Sequence, residues 1–558
     1  MDDLRVHGII HDAIVVGAGF GGVHMLHELQ KRGLSAIGIE GGSDVGGAWY
    51  WNVYPGARCD VESLLYSYSI CPDLDAKWRW SERYPAQAEI QRYIGFAVDL
   101  WDVRQLIRFD SWVRSATYDE AATCWRVEIE GGDTLSCRYL VMAPGPLTKV
   151  VWPDIEGIGE FLGETYHTAR WPEGVALDGK RIGVVGNGSS GTQFMTAAAS
   201  RASELHIFVR TPHFSVPAFN RPLTDEDYAE WNARKDEIRS DTGTGVISGS
   251  GDAFAPRAII TVRKPGAEFS PEAQRERMET YWSFGGAQLM RVFSDVVVNE
   301  TTNRLVGDFV REKVREIIKD PGKARVMEPR HFAFGGKRLV VDTGFYEIFN
   351  RDTVMPYDLR ETPIERITKD GVMLGGREIA LDMIVFATGF DAAAGSYLAM
   401  DIRGRGGEAL NDRWRDGAAS YLGLAVSGFP NFLMVNGPGA PGPFSNVVAS
   451  NEWCVAAVAA IIERMEAAGI TTVEADPEAE RTWMKTIADI AAPTVFATTE
   501  NWYSGTNIEG KTGGIVNCIN PAMYRQALLK EQAAGFPNLR FGAANAETDP
   551  SAEQRTSA

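Results

Sequence analysis

Apolar and polar positions along the chain fall twice into the same succession of elements. In DAIVVGAGFGG the run Ala13–Val16 predicts a buried strand, the glycines a tight turn, and the residues that follow a helix with apolar positions three and four apart. A second apolar run, AIGIE, then closes on an acid. The order repeats in RIGVVGNGSSGTQFMTAAASRASELHIFVR, from Arg181 to Arg210. Strand, turn, helix and strand make a nucleotide-binding unit, so the fold class is α/β with two Rossmann-like dinucleotide-binding domains.

The rest of the pattern fits around these two units. Glu89 to Leu100 is amphipathic at helical spacing, and CWRVEIE and TLSCRYLVMAPG predict two strands joined at Gly131 and Gly132. From Phe219 to about Arg330, polar stretches with helical spacing surround DTGTGVISGSGDAFAP, which predicts a mainly helical insertion carrying a mobile loop. DMIVFATGFD, Asp382 to Asp391, reads as a buried strand, and NFLMVNGPGAPGPFSNVVASNEW as a strand, a glycine- and proline-rich loop and a helix. The expected domains are 1–148 with 387–541, 149–218 with 331–386, the insertion 219–330, and a disordered tail 542–558.

Each glycine turn has a chemistry. Gly17 permits the tight turn, Gly19 lets the backbone approach a pyrophosphate, and Gly22 lets helix and strand pack closely. Glu40, at the end of the second strand, can accept hydrogen bonds from ribose hydroxyls. The second turn supplies Gly186, Gly188, Ser189, Ser190 and Gly191, but its second strand ends on Arg210 and Thr211. A guanidinium pairs with a 2′-phosphate where a carboxylate would repel it, so this site favours NADP over NAD. Between the two units lie an aromatic, irregular stretch, GGAWYWNVYPGARCDVES, and a linker, FLGETYHTARWP. The first is either an aromatic plug in a core or, following a dinucleotide fold, the cover of an isoalloxazine ring.

The linker carries Phe161, Gly163, His167 and Trp171 as F-x-G-x-x-x-H-x-x-x-W, a spacing no nucleotide fingerprint requires. This pattern resembles the signature of the type I Baeyer–Villiger monooxygenases, class B flavoproteins that use FAD, NADPH and dioxygen. Gly47, Trp49, Tyr54, Pro55, Gly56 and Asp60 match a second signature of that family, and GGAWYWNVYPGARCDVES with HTARWP is most similar to its phenylacetone monooxygenase-like branch. The resemblance implies FAD in the first domain and NADP in the second. It implies that Gly47, Trp49 and Tyr66 lie near the flavin, with Val113 and Val447 also at the cofactor, and that Asp60 stands in the active site. It further implies Lys337 at the 2′-phosphate, Arg338 at the flavin, Trp502 near the nicotinamide nucleotide, and a substrate loop at roughly 440–447. By residue type alone, Asp60 could equally cap a helix or turn, and Lys337 with Arg338 could be a solvated basic pair.

Composition removes other classes. The 558 residues carry 56 basic and 74 acidic side chains, a net charge of −18, which argues against a nucleic-acid binder. Six scattered cysteines form no C-x-x-C pair, so disulfide reductase chemistry, a zinc site and a disulfide framework lose support, and no metal is expected. The acidic N-terminus is not built like a secretory signal and no apolar run reaches the roughly 18 residues of a membrane span, so a cytoplasmic protein without a membrane partner is expected. A monomer or weak oligomer is expected.

Two nucleotides, one of them flavin, imply hydride transfer from NADPH to FAD, and without a dithiol the remaining acceptor is dioxygen. The resemblance then implies conversion of ketones to esters or lactones through a flavin peroxide, and it allows sulfoxidation as well. An anionic peroxide needs a fixed cation, a role that suits Arg338, with Asp60 holding the guanidinium in place. His167 is expected as a hinge contact of the linker. The rival readings are a flavin monooxygenase that oxygenates nitrogen or sulfur, and a non-catalytic flavoprotein that senses redox state.

Overall fold

The computed structural model describes residues 10–240, 253, 264–392, 394–442, 445–508 and 520–542. The expected mobile loop lies outside the described residues except for Ala253, as does the expected tail beyond Gly542.

The first nucleotide unit anchors an eight-stranded sheet. Strand Ile10–Val16 pairs in parallel with Ala36–Ile39 on one side and with Thr134–Met142 on the other. Thr134–Met142 is long enough for two further partners. Its first half forms the expected hairpin with Cys124–Ile129, and its last residues pair in parallel with Phe432–Met434, brought back from far along the chain. Val113–Asp119 and Asp401–Arg403 extend that side. The helix Val447–Ala468, buried along most of its length, covers this sheet together with Phe20–Lys31.

The second unit builds a five-stranded parallel sheet in the order Val354–Asp358, Glu204–Val209, Arg181–Val185, Met383–Phe386, Glu164–His167. The last of these lies in FLGETYHTARWP, within the segment assigned to the second domain, where the sequence announced no strand. Glu164–His167 pairs in register with Met383–Phe386 and closes the edge of the second sheet. The strand is short and polar, so its periodicity is too weak to announce it. Beside it, Ile364–Ile367, Gly371–Leu374 and Arg377–Ala380 form a small antiparallel sheet that the pattern also did not announce.

The two units repeat one packing device. A methyl group on Gly22 would stand 1.8 Å from the Gly17 carbonyl oxygen, and one on Gly191 would stand 2.4 Å from that of Gly186. Only glycine lets each helix start so close to its strand.

The insertion is helical, as expected: Asp225–Ser240, Pro271–Phe284, Glu300–Ile317 and Pro321–Met327. Ser270, Asn299 and Asp320 cap the last three by accepting from backbone amides, each worth about 1 kcal/mol. Glu300–Ile317 buries Val306, Phe309 and Val310 against Phe214 and Phe334, which fastens the insertion to the second unit. Among the described residues no helix is long and apolar enough to cross a membrane, and no three His, Cys, Asp or Glu side chains gather as metal ligands.

Candidate functional site

One continuous cavity of about 1790 Å³ opens beyond the carboxyl ends of the parallel strands in both sheets and reaches both glycine turns. Ordinary small-molecule pockets enclose about 300–1,000 Å³, so this space suits two dinucleotides and a substrate. All of the cofactor candidates from the sequence line it, with two exceptions. Gly22 and Gly191 lie behind the turns, where they serve packing.

On the first side, Glu40 is buried and its two oxygens accept from the amides of Ala18 and Gly42, both at 2.8 Å. Burial pushes its carboxyl upward, opposed by those backbone donors. Gly47 has φ +55° and stands against Gly19, where an added Cβ would come within 3.0 Å of the Gly19 Cα. The two glycines leave a bare backbone floor of the kind a pyrophosphate or flavin edge needs, and the site therefore fits FAD. Trp49 donates from Nε1 to the Tyr66 hydroxyl at 3.0 Å, with the two rings edge to face, so the pair forms a rigid wall. Val113 begins its strand, and Val447 its helix, at the same cavity.

The second side is cationic. Gly186, Gly188, Ser189 and Ser190 present the N-terminus of helix Ser189–Ala198, and the buried Asn187 Nδ2 beside them has no hydrogen-bond partner in the protein. An orphaned donor at a helix N-terminus fits an anionic nucleotide. Arg210 is mostly exposed and contacts Glu500 at 3.6 Å. Lys337 is pushed below the ordinary lysine range by burial, with Glu500 opposing and Arg210 and Arg360 reinforcing the shift. Arg360 donates to the Arg210 carbonyl at 2.8 Å and to the Thr211 hydroxyl at 3.2 Å. This third cation was absent from the sequence reading, because it sits on a remote turn after the strand Val354–Asp358 with no motif around it.

Between the two sides lies the ion pair. Arg338 donates from Nε to Asp60 Oδ2 at 2.6 Å and from Nη2 to Oδ1 at 2.9 Å. Burial works against both charges. For Arg338, the charge and hydrogen bonds of Asp60 prevail and hold the guanidinium above its ordinary range. For Asp60, the charge and bonds of Arg338 prevail and leave the carboxyl below its ordinary range. Asp60 therefore caps no helix, and Arg338 is not one of a solvated pair. Trp502 and Tyr503 line the same space with ring centroids 4.4 Å apart. Ala440, Gly442 and Ser445 also line it, whereas Pro443 and Phe444 of the expected substrate loop lie outside the described residues.

Phe161, Gly163, His167 and Trp171 do not line the cavity. The His167 Nδ1 accepts from the Ala169 amide at 3.0 Å, which places its proton on Nε2, 3.2 Å from the Thr388 hydroxyl. Thr388 in turn donates to the Val151 carbonyl at 2.6 Å. Burial pushes His167 down to about 4, so it is a neutral staple between the edge strand and the two chain crossings at Val151 and Thr388. Trp171 is buried between Tyr166 and Phe194.

The sequence model of the pyridine nucleotide-disulphide oxidoreductases matches residues 11–269. A Baeyer–Villiger monooxygenase of Pseudooceanicola batsensis is 37% identical over 96% of this chain and 97% of its own length. A phenazine N-monooxygenase of Lysobacter antibioticus is 38% identical over 94% of this chain and 95% of its own. A solved structure described as an oxidized steroid monooxygenase bound to NADP superposes with a TM-score of 0.90 at 39% identity, over 96% of this chain and all of the other.

Proposed function

This chain belongs to the Baeyer–Villiger monooxygenases, and from that membership we propose how its site carries out the reaction. The enzyme uses FAD and NADPH to convert a ketone, with dioxygen, NADPH and a proton, into an ester or lactone, NADP and water. Bound FAD supplies hydride acceptance and the activation of dioxygen; everything else falls to the protein.

Gly17, Gly19, Gly47 and Glu40 hold the FAD, with Trp49, Tyr66, Val113 and Val447 around it. Gly186 to Ser190 receive the NADP pyrophosphate, and Arg210, Thr211 and Lys337 bind its 2′-phosphate, with Trp502 on the nicotinamide side. Arg338 provides a permanent cation where negative charge develops next to the substrate carbonyl, and Asp60 fixes the direction of that cation. The observation that carries this reading is the two-pronged Arg338–Asp60 pair in a cavity reached by both nucleotide turns. The two sheets support the division into 1–148 with 387–541 for FAD, 149–218 with 331–386 for NADP, and 219–330 as the insertion. We place the enzyme in the cytoplasm as a monomer or weak oligomer.

The N- and S-oxygenating alternative is tested alongside, because one relative, 38% identical, is named for an N-oxygenation. The FAD-loaded protein is to be incubated with NADPH and, in parallel, with linear, aryl and cyclic ketones, a thioether, a tertiary amine and phenazine, and the products identified by mass. Ester or lactone from a ketone is the expected outcome. Oxygenated amine or phenazine without any ester would replace this reading with the alternative.

A further inference from the structure

Asp60 lies on the chain of the first nucleotide unit, yet the loop leading to it is fastened to the helix of the second. Gln193, in the helix Ser189–Ala198, is only 8% exposed and is spent entirely on that loop. Its Oε1 accepts from the Tyr54 hydroxyl at 2.7 Å and from the Arg58 amide at 3.4 Å. Its Nε2 donates to the Arg58 carbonyl at 3.1 Å. Gly56 has φ +86° and is pressed against the same helix turn, where an added Cβ would stand 2.5 Å from the Gln193 carbonyl oxygen. The opposite side of the loop is held within its own unit, by the Cys59 amide donating to the Pro85 carbonyl at 3.0 Å and by Arg58 Nη1 donating to the Tyr84 carbonyl at 2.7 Å.

The helix that carries Gln193 is the one whose first residues, Ser189 and Ser190, line the cavity at the second glycine turn. Tyr54 lies where both ends meet. Burial pushes its phenol up to about 12, a Ser190 side-chain bond opposes that shift, and the Asp60 charge adds to it. From the pyrophosphate end of the helix, a short run of direct contacts leads through Gln193 to Tyr54 and Arg58, then along the backbone to Asp60 and across to Arg338.

We propose that Gln193 is a positioning residue that ties the Asp60–Arg338 pair to the NADP-binding helix, so that the catalytic cation is aligned only while the nucleotide holds that helix in place. This deepens the reading above and rests on it. Side chains that lock a reacting constellation from behind act through orientation, so losing one misaligns the pair without abolishing cofactor binding.

The test uses the FAD-loaded enzyme and three variants. Gln193→Leu keeps the volume and removes all three bonds, Gln193→Glu keeps the acceptor for Tyr54 and Arg58, and Tyr54→Phe removes only one of the three Gln193 bonds, together with the contact to Ser190. Two quantities are read: the change in the flavin absorption spectrum as NADP is titrated in, with binding measured separately by equilibrium dialysis, and the ester formed per NADPH oxidised, with hydrogen peroxide accounting for the remainder. For Gln193→Leu, NADP affinity and the rate of flavin reduction should stay within about threefold of the parent. The spectral response should at least halve and the ester yield per NADPH should fall at least about fivefold. Gln193→Glu should recover most of that loss, and Tyr54→Phe should show a smaller loss in the same direction. Parental spectral response and yield in Gln193→Leu overturn the proposal. So does a loss of NADP affinity beyond about tenfold, which makes Gln193 a support of the nucleotide site alone. If Gln193→Leu does not fold, parental behaviour in Tyr54→Phe is equally decisive. Should the parent enzyme make no ester from any ketone, the proposed function fails, while the spectral response still judges the role of Gln193.

Discussion

Arg338 and Asp60, 278 positions apart in sequence, meet through two hydrogen bonds of 2.6 and 2.9 Å that use both carboxylate oxygens. A guanidinium held this way has its plane and direction fixed, which an ammonium on a flexible stem does not. Arg338→Ala should therefore lower ester formation by about 100- to 1000-fold while flavin reduction by NADPH continues and hydrogen peroxide accumulates. Arg338→Lys should recover only part of the loss. Anaerobic stopped-flow reduction paired with product analysis separates the two steps, and ester formation at the parental rate in Arg338→Ala would remove the central role given to this residue.

The same pair predicts a pH response. Asp60 has its carboxyl held below the ordinary value of 3.8, so its contribution is present above that value and is lost only as pH falls through the lower, folded one. Between about pH 5 and pH 9 the pair stays charged on both sides, and ester formation should show no acid limb assignable to it. An acid limb near pH 6 that disappears in Asp60→Asn would mean the carboxylate titrates in the working range.

Selectivity between the two nicotinamide nucleotides should rest on Arg210 and Lys337. Hydrogen bonds to a charged group are worth about 1.5–3 kcal/mol, so replacing either with alanine should lower kcat/KM for NADPH by roughly 10- to 150-fold. NADH, which lacks the 2′-phosphate, should change by less than about threefold. Arg360→Ala should lie between the two, since Arg360 braces the Arg210 carbonyl and Thr211 instead of standing free. Equal losses for both nucleotides would show that these residues hold the fold and not the phosphate.

Much of this is legible in the sequence alone. Both glycine turns, the helical insertion and the hairpin at Gly131 and Gly132 follow from local periodicity and from backbone positions that only glycine can occupy. The motifs also brought Asp60 and Arg338 to one place. What escaped was of two kinds. Edge strands such as Glu164–His167 are short and polar, and they owe their conformation to the partner Met383–Phe386 instead of to their own residues. Contacts such as Gln193 to Tyr54 and Arg360 to Thr211 join positions more than a hundred residues apart, and nothing in a glutamine or an arginine alone announces its partner.

One buried carboxylate takes no part in the proposed reaction and makes a prediction about stability. Glu452, on the helix Val447–Ala468, is 6% exposed and accepts from the Ser69 amide at 2.6 Å and from the Ser69 hydroxyl at 2.5 Å. Burial pushes it up to about 7 from an ordinary 4.5, against those bonds and the Arg239 charge. A raised carboxyl binds its proton more tightly in the folded state, so its contribution is complete below the unfolded value and is lost as pH rises through the folded one. The window runs from 4.5 to about 7, and the loss across it is on the order of 3 kcal/mol. Glu452→Gln keeps an acceptor for Ser69 and has no proton to lose. Unfolding of the FAD-loaded protein followed at about pH 5 and about pH 8 should therefore show a larger drop in Tm for the parent than for the variant, with the variant the more stable of the two at the higher pH. Parallel drops in both proteins would mean that Glu452 is ionised in the fold at neutral pH, with Ser69 and Arg239 outweighing its burial.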